Sequence, residues 1–333
     1  MIDLHLHLDG SLDPADMTEL ARLSKATLPV TNTDEIQKLM MVEPGCTNLG
    51  EYLEKFDLPI QVLQTKESFE YAVYRLILRL RSQGLCYAEI RFAPQFHMRL
   101  GLTQREVVEA AVAGLQKGTK ESGMPEQLIL CCMRGEQNHA ENVTTVEIAE
   151  EFLKKGVCAV DLAGNEATYP TEEFADLFDM ARERKIPVTI HAGEAAGAES
   201  VQQAIEAGAL RIGHGTHAIE DVQLFEKLRE RRIPLELCNT SNLQTRAGDI
   251  PEHYPIKTFL DNGIVITVNT DNMTVSGTNL KKEYQLLGKQ FALKTDELQV
   301  FAENAAEAAF LSEEEKNRLK EQIKCSFVSW LEN

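Results

Sequence analysis

Long apolar runs are missing from these 333 residues: nothing approaches the ~20 consecutive apolar side chains of a membrane-spanning helix, so no such helix is expected. Positive charge is scarce too. Lys and Arg total 34 against 52 Asp and Glu, and the resulting net charge of -18 repels phosphate backbones and anionic lipid. Nucleic acid and membranes are therefore disfavoured as partners, and a neutral small molecule fits better. The seven cysteines are odd in number, form no C-x-x-C pair and mostly sit inside apolar runs. They read as buried thiols in a reducing compartment, not as a disulfide framework. Met1 leads straight into a strand-like pattern with no basic segment and apolar stretch before it, so the expectation is a cytoplasmic protein. Linkers, repeats and low-complexity tracts are also lacking, which predicts one domain over residues 1–333; the oligomeric state is left open.

Histidine is sparse as well, yet two of the eight fall within "IDLHLHLDGS", Ile2 to Ser11. Ile2, Leu4, Leu6 and Leu8 make one stripe at period two, and Asp3, His5, His7 and Asp9 make the other. Both imidazoles then share a face about 7 Å apart, close enough to converge on one cation. An ordinary half-buried strand with a polar outer face reads the same way, so the rest of the chain must supply other ligands.

Seven further apolar, β-branched runs follow: "GLCYAEIRFAP", "QLILCCMRG", "GVCAVDLAGNE", "IPVTIHAGE", "LRIGHGTH", "IPLELCNTSN" and "GIVITVNTDN". Amphipathic stretches separate them, several ending in Gly (Gly123, Gly156, Gly208, Gly263) just before the next strand. Alternation of this kind predicts parallel βα units. Eight such strands predict a (β/α)8 TIM barrel of the α/β class, with an open doubly wound sheet as the alternative. The barrel is preferred because polar residues gather at the C-terminal end of every later strand. Extra helices are expected between strands one and two, from Ser24 to Arg81, and beyond Asn272 at the C-terminus.

His191 ends the fifth strand in "TIHAGE", with Glu194 three residues on. His214 lies between two glycines in "RIGHGTH", and Asp271 and Asn272 close the eighth strand in "VNTDN". In a barrel those strand ends converge. His5, His7, His191 and Asp271 then offer three nitrogens and a carboxylate to one zinc with an open position for water, leaving Glu194 and His214 for proton chemistry. Taken singly, each has a plainer reading: a helix-starting Glu, a satisfied core histidine, a turn after a strand. Their coincidence on one face favours the site.

The motifs "HLHLDGS", "DLAGNE", "HAGE", "GHGTHAIED", "CNTSNLQT" and "VNTDN" occur in the order found in the adenosine deaminase family of the amidohydrolase superfamily, which the chain resembles from Ile2 to about Glu283. The resemblance implies hydrolytic deamination of adenosine, and of 2′-deoxyadenosine, to inosine and ammonia in purine salvage. It implies one Zn2+ per chain on His5, His7, His191 and Asp271, with Glu194 donating a proton to purine N1. His214 would orient the zinc-bound water and help deprotonate it. Gly164 would offer its N–H to purine N3, His7 and Asp9 would line the substrate site with Asp9 on the ribose 5′-hydroxyl, and Phe56 and Leu58 would form an apolar wall over the purine. Many relatives have a second Asp where this chain has Asn272, whose amide can donate to purine N7 without taking up a proton. Asn239 stands where the family commonly has Pro.

Adenine deaminase is the competing activity within the family, but its members tend to carry Glu where this chain has Asp9. AMP deaminases need a cationic phosphate site that the acidic balance does not favour. Binuclear barrels with a bridging lysine on strand four are disfavoured because "GVCAVDLAG" has no lysine. The zinc deaminases of nucleic acids need a P-C-x-x-C that is missing. A non-enzymatic nucleoside-binding barrel is a distant third, since every metal and acid–base position is chemically intact.

Overall fold

The alternating stretch Ile2–His7 forms strand β1, and the seven expected strands follow in order: β2 (Tyr87–Phe92), β3 (Glu126–Met133), β4 (Val157–Ala163), β5 (Thr189–Ala192), β6 (Arg211–His214), β7 (Leu235–Leu237) and β8 (Ile266–Val268). The computed structural model describes residues 1–43, 45–46, 48–247 and 254–332. Successive strands pair in parallel within two four-stranded sheets, β1-β2-β3-β4 and β5-β6-β7-β8. Parallel bridges Val160–Val188 and Leu6–Asp271 join the sheets at both seams. At the second seam His7 N–H donates to Asp271 O at 2.7 Å and Asp271 N–H to His5 O at 2.8 Å. The sheet thus closes into a (β/α)8 barrel, not an open sheet, and the closing seam is made by the residues expected to bind metal.

Helices Gln104–Ser122, His139–Phe152, Ala175–Glu183, Ala198–Glu206, Val222–Arg231 and Ile256–Asp261 fill the crossovers. Local chemistry fixes their ends. Thr103 accepts from the Glu106 N–H while Glu106 reaches back to the Thr103 N–H, and Gly123, at φ 68, closes the same helix. Asp13 caps Ala15, but Pro14–Asp16 is a 3-10 turn and the α-helix itself runs Met17–Ser24. Between β1 and β2 lie helices Thr33–Met40, Leu49–Leu53, Asp57–Val62 and Lys66–Ser82; Leu280–Phe291, Thr295–Ala308 and Glu313–Glu332 follow β8. A short helix the sequence patterns did not suggest, Asn239–Gln244, follows β7. Among the described residues no helix is long and apolar enough to cross a membrane.

The two faces of each strand have different fates. Leu4, Leu6, Ile90, Phe92, Leu128, Leu130, Val160 and Leu162 point to the helices, in one buried apolar cluster that runs from Met1 to Phe327. Each such side chain contributes about 1.5–3 kcal/mol by leaving water. The barrel interior, by contrast, is charged. Arg91 donates to Asp161 at 2.8 Å and to Glu236 at 2.9 Å, while Arg211 bonds Glu236 at 2.5 Å and Glu89 at 2.6 Å. All five are buried, so each charge depends on its partners. Residues 308–310 cover the lower end: Arg211 Nη1 donates to Ala308 O at 2.9 Å, Phe310 N–H to Glu89 Oε1 at 2.7 Å, and the guanidinium lies 3.9 Å from the Phe310 ring centroid. The upper end holds the histidines.

Candidate metal centre and active site

Alternation along β1 aims His5 and His7 into the upper barrel; His191 is the next-to-last residue of β5, His214 ends β6, and Asp271 follows β8. His214 and Asp271 adopt left-handed backbone, at φ 62 and 59, which costs a residue with a Cβ and is held only where surrounding structure demands it. His7 Nε2 lies 3.2 Å from His191 Nε2, and Asp271 Oδ1 is 3.4 Å from His7 Nε2 and 3.5 Å from His5 Nε2. One atom from each of His5, His191, His214 and Asp271 also lies within 4.8 Å of the others. All five expected groups therefore meet, and two overlapping sets of four share His5, His191 and Asp271.

The outer nitrogens distinguish these imidazoles. Glu236 Oε2 lies 2.8 Å from His5 Nδ1, and Asp161 Oδ2 lies 2.9 Å from His191 Nδ1. A carboxylate on Nδ1 takes that N–H and turns the Nε2 lone pair inward, the arrangement typical of metal-ligating histidine. His5 Nε2 is buried there without a hydrogen-bond partner. Left unpaired, such an atom costs about 1–3 kcal/mol, and a cation at the centre removes that cost. Burial lowers His7 and His191, favouring the neutral form a ligand needs. Burial opposes charge on Asp271 as well, but its contacts with His5 and His7 outweigh that and hold it ionised. Ser241 Oγ donates to its other oxygen at 2.6 Å. The donor set fits one divalent metal.

His214 is held differently. Asn242 Oδ1 accepts from Cys238 N–H at 3.2 Å and Tyr254 O–H at 3.0 Å, which orients the amide so that Nδ2 donates to His214 Nδ1 at 2.9 Å. The neutral ring must then carry its proton on Nε2, 3.5 Å from Glu194 Oε2. In this tautomer His214 is a donor, so the expected help in deprotonating water is not what its hydrogen bonding favours. Burial first, then the negative Asp271 and Glu166, raise Glu194 well above the ordinary carboxyl range, the direction that favours its protonated form.

A cavity of about 300 Å³ opens over these groups. His7, Asp9, Gly164, Asn272 and Phe56 line it with His191, Glu194, His214 and Asp271. Burial raises Asp9 to about 6. The Asn272 amide oxygen has no partner and rests against Gly10, where any added Cβ would fall 1.8 Å from it. Leu58 does not line the cavity; it packs against the barrel's apolar cluster. Helical geometry is the reason: Phe56 and Ile60 are four apart and share the cavity face with Tyr52 and Leu53, whereas two residues' rotation turns Leu58 away. Asp161, Glu236, Ser241, Asn242, Thr245 and Glu166 were not singled out from the sequence. Asp161 and Glu166 stand in "DLAGNE" and the next three in "CNTSNLQT", while Glu236 is the polar member of an otherwise apolar "PLEL".

Together the closed barrel and its buried His/Asp cluster at the strand C-terminal ends define a metal-dependent hydrolase of the amidohydrolase type. The chain belongs to the adenosine deaminase family, whose model matches residues 1–326. It is 48% identical to an adenosine deaminase of Haemophilus ducreyi over 97% of this chain and 95% of that one, and 40% identical to one of Clostridium kluyveri over 96% and 92%. Among solved structures, an adenine deaminase from Arthrobacter aurescens superposes with a TM-score of 0.88 at 25% identity, covering 98% of both chains. A zinc-bound amidohydrolase from Burkhoderia ambifaria gives a TM-score of 0.88 at 22% identity, covering 99% of this chain and 91% of that one, a likeness of fold.

Proposed function

We propose that this chain hydrolyses adenosine, and 2′-deoxyadenosine, to inosine and ammonia, as a single-domain cytoplasmic enzyme of purine salvage with one zinc on His5, His7, His191 and Asp271. The observation that carries the reading is that a buried cluster of histidines and Asp271 able to hold a metal, and the buried Glu194 carboxyl, face one cavity of about 300 Å³. Relatives named adenosine deaminase at 37–48% identity support the substrate.

Aromatic C6 is a poor electrophile, so water must be activated and the ring must accept an electron pair. When bound, zinc acts as a Lewis acid that lowers the pKa of a coordinated water toward ~7. Glu194 supplies the other half: its proton moves to N1 as electrons from the C6 attack collect there. His214 Nε2–H donates to the oxygen being added at C6, and Asn242 keeps that proton in place. Of the two protons the water brings, one leaves with the amino group as ammonia and the other restores the Glu194 carboxyl, while the oxygen stays on C6 and the N1 proton stays on the ring of inosine. Gly164 N–H meets N3, the Asn272 amide N7 and Asp9 the 5′-hydroxyl, while Phe56 covers the apolar face. Thr245 Oγ1, 3.3 Å from Glu194 Oε1, limits the carboxyl's rotation.

The test is the ultraviolet spectral change when purified protein is mixed separately with adenosine, adenine and AMP. Adenosine should turn over with kcat/KM at least ~10²-fold above adenine, the scale set when a site loses a designed hydrogen bond and its binding energy. Preferential turnover of adenine would overturn the reading in favour of a base deaminase.

A further inference from the structure

Glu194 can protonate N1 only if its carboxyl is held against the ring, yet its own side-chain contacts are few: Thr245 Oγ1 at 3.3 Å and His214 Nε2 at 3.5 Å. The rigidity is in the backbone. Glu166, buried in the turn after β4, accepts Gly193 N–H at 2.6 Å on one oxygen, and Glu194 N–H at 2.9 Å and Ala195 N–H at 2.7 Å on the other. Ser200 Oγ donates to it as well. Three successive amides pointing at one group form an anion-holding nest, here filled by the protein's own carboxylate. The carbonyls are tied too: His191 O accepts Arg134 Nη2 at 2.7 Å, Ala192 O the Gly215 N–H at 3.0 Å, and Gly193 O the Thr216 hydroxyl at 2.8 Å. Gly193, at φ 69, makes the turn, where a Cβ would lie 2.5 Å from Val201.

We infer that Glu166 is a positioning residue for the deamination, pinning backbone 193–195 so that the Glu194 carboxyl is aimed at the substrate's ring nitrogen. Every contact Glu166 makes in this nest is with a donor, so an acceptor-only group is required. A Gln would set its own N–H groups against backbone N–H groups and leave donors unpaired in a dry site. His191 is anchored independently, by Arg134 and the β5–β6 ladder, so metal binding does not depend on the nest. This inference rests on Glu194 being the N1 acid.

The experiment is a double-mutant cycle between Glu166→Gln and Glu194→Gln, reading kcat, KM and metal content. Glu166→Gln alone should keep its metal, change KM less than ~3-fold and lower kcat by ~10²-fold, the loss expected when a reacting group is displaced by about 1 Å. Combined with Glu194→Gln it should cost under ~3-fold more, because the group it positions is already disabled. Unimpaired Glu166→Gln beside a crippled Glu194→Gln overturns this inference alone, as does the full ~10²-fold loss persisting in the Glu194→Gln background. Near-normal Glu194→Gln overturns the acid assignment and this inference with it. If Glu166→Gln does not fold, Ser200→Ala carries the test: a ~3- to 10-fold loss of kcat that vanishes in the Glu194→Gln background is expected, and no loss overturns the inference.

Discussion

Asn242 shows how one amide sets the chemistry of a neighbour. With its oxygen committed to Cys238 N–H and Tyr254 O–H, its nitrogen must donate to His214 Nδ1, so the ring's proton is forced onto Nε2. Asn242→Asp replaces that donor with an acceptor and draws the proton to Nδ1. Metal content should stay at the parent level while kcat falls by ~10²- to 10⁴-fold, since a correctly placed proton is worth about that much. Metal analysis and steady-state kinetics check this, and an unchanged kcat would remove the tautomer from the mechanism. His5, His7, His191 and Asp271 were legible in the sequence because strand alternation and strand ends aim them. Asn242 was not, because its role comes from a short helix that period-two reasoning cannot see.

At the scale of elements, the helices over the cavity are fastened to the barrel by His97, in the 3-10 turn Pro94–His97 after β2. Its Nδ1 donates to the carbonyl of Leu63, which ends helix Asp57–Val62, and its ring packs edge-on against Phe69, 4.8 Å between centroids. Burial in that apolar setting lowers His97 from 6.5 to about 3. Because the folded pKa lies below the unfolded one, the unfolded chain binds the extra proton first. The stabilisation is therefore fully present above pH 6.5 and is lost as pH falls from 6.5 to about 3. His97→Leu should make denaturant-measured stability less steep across that window by about 1.4 kcal/mol per pH unit. Identical slopes for the two proteins would show that His97 is not buried neutral. Helix ends such as Gly123 were readable from capping chemistry. The Leu58 assignment failed because a helix's existence is easier to read than its rotation.

Across the whole molecule, apolar packing and chemistry occupy opposite sides of one sheet. The outward residues hold the helices, and the inward ones form a buried ionic column from Glu89 and Arg211 through Glu236 and Arg91 to His5 and His191. Removing one member leaves a buried charge uncompensated, so the column and the metal site are built as a unit. Eight strands and their closure were legible from the βα alternation. The column was not, because Arg91, Asp161, Arg211 and Glu236 are far apart in the chain and find their partners only when the barrel closes. That closure also brings Asp271 to β1, so the proposed chemistry depends above all on one metal being held at the seam. The direct measurement is to strip the protein with a chelator, add back zinc in known amounts and follow adenosine turnover for the parent and His191→Ala. Activity should vanish on stripping and return in full at one zinc per chain for the parent, with no recovery in the variant; turnover that survives complete removal of metal, or that requires two ions per chain, would contradict it.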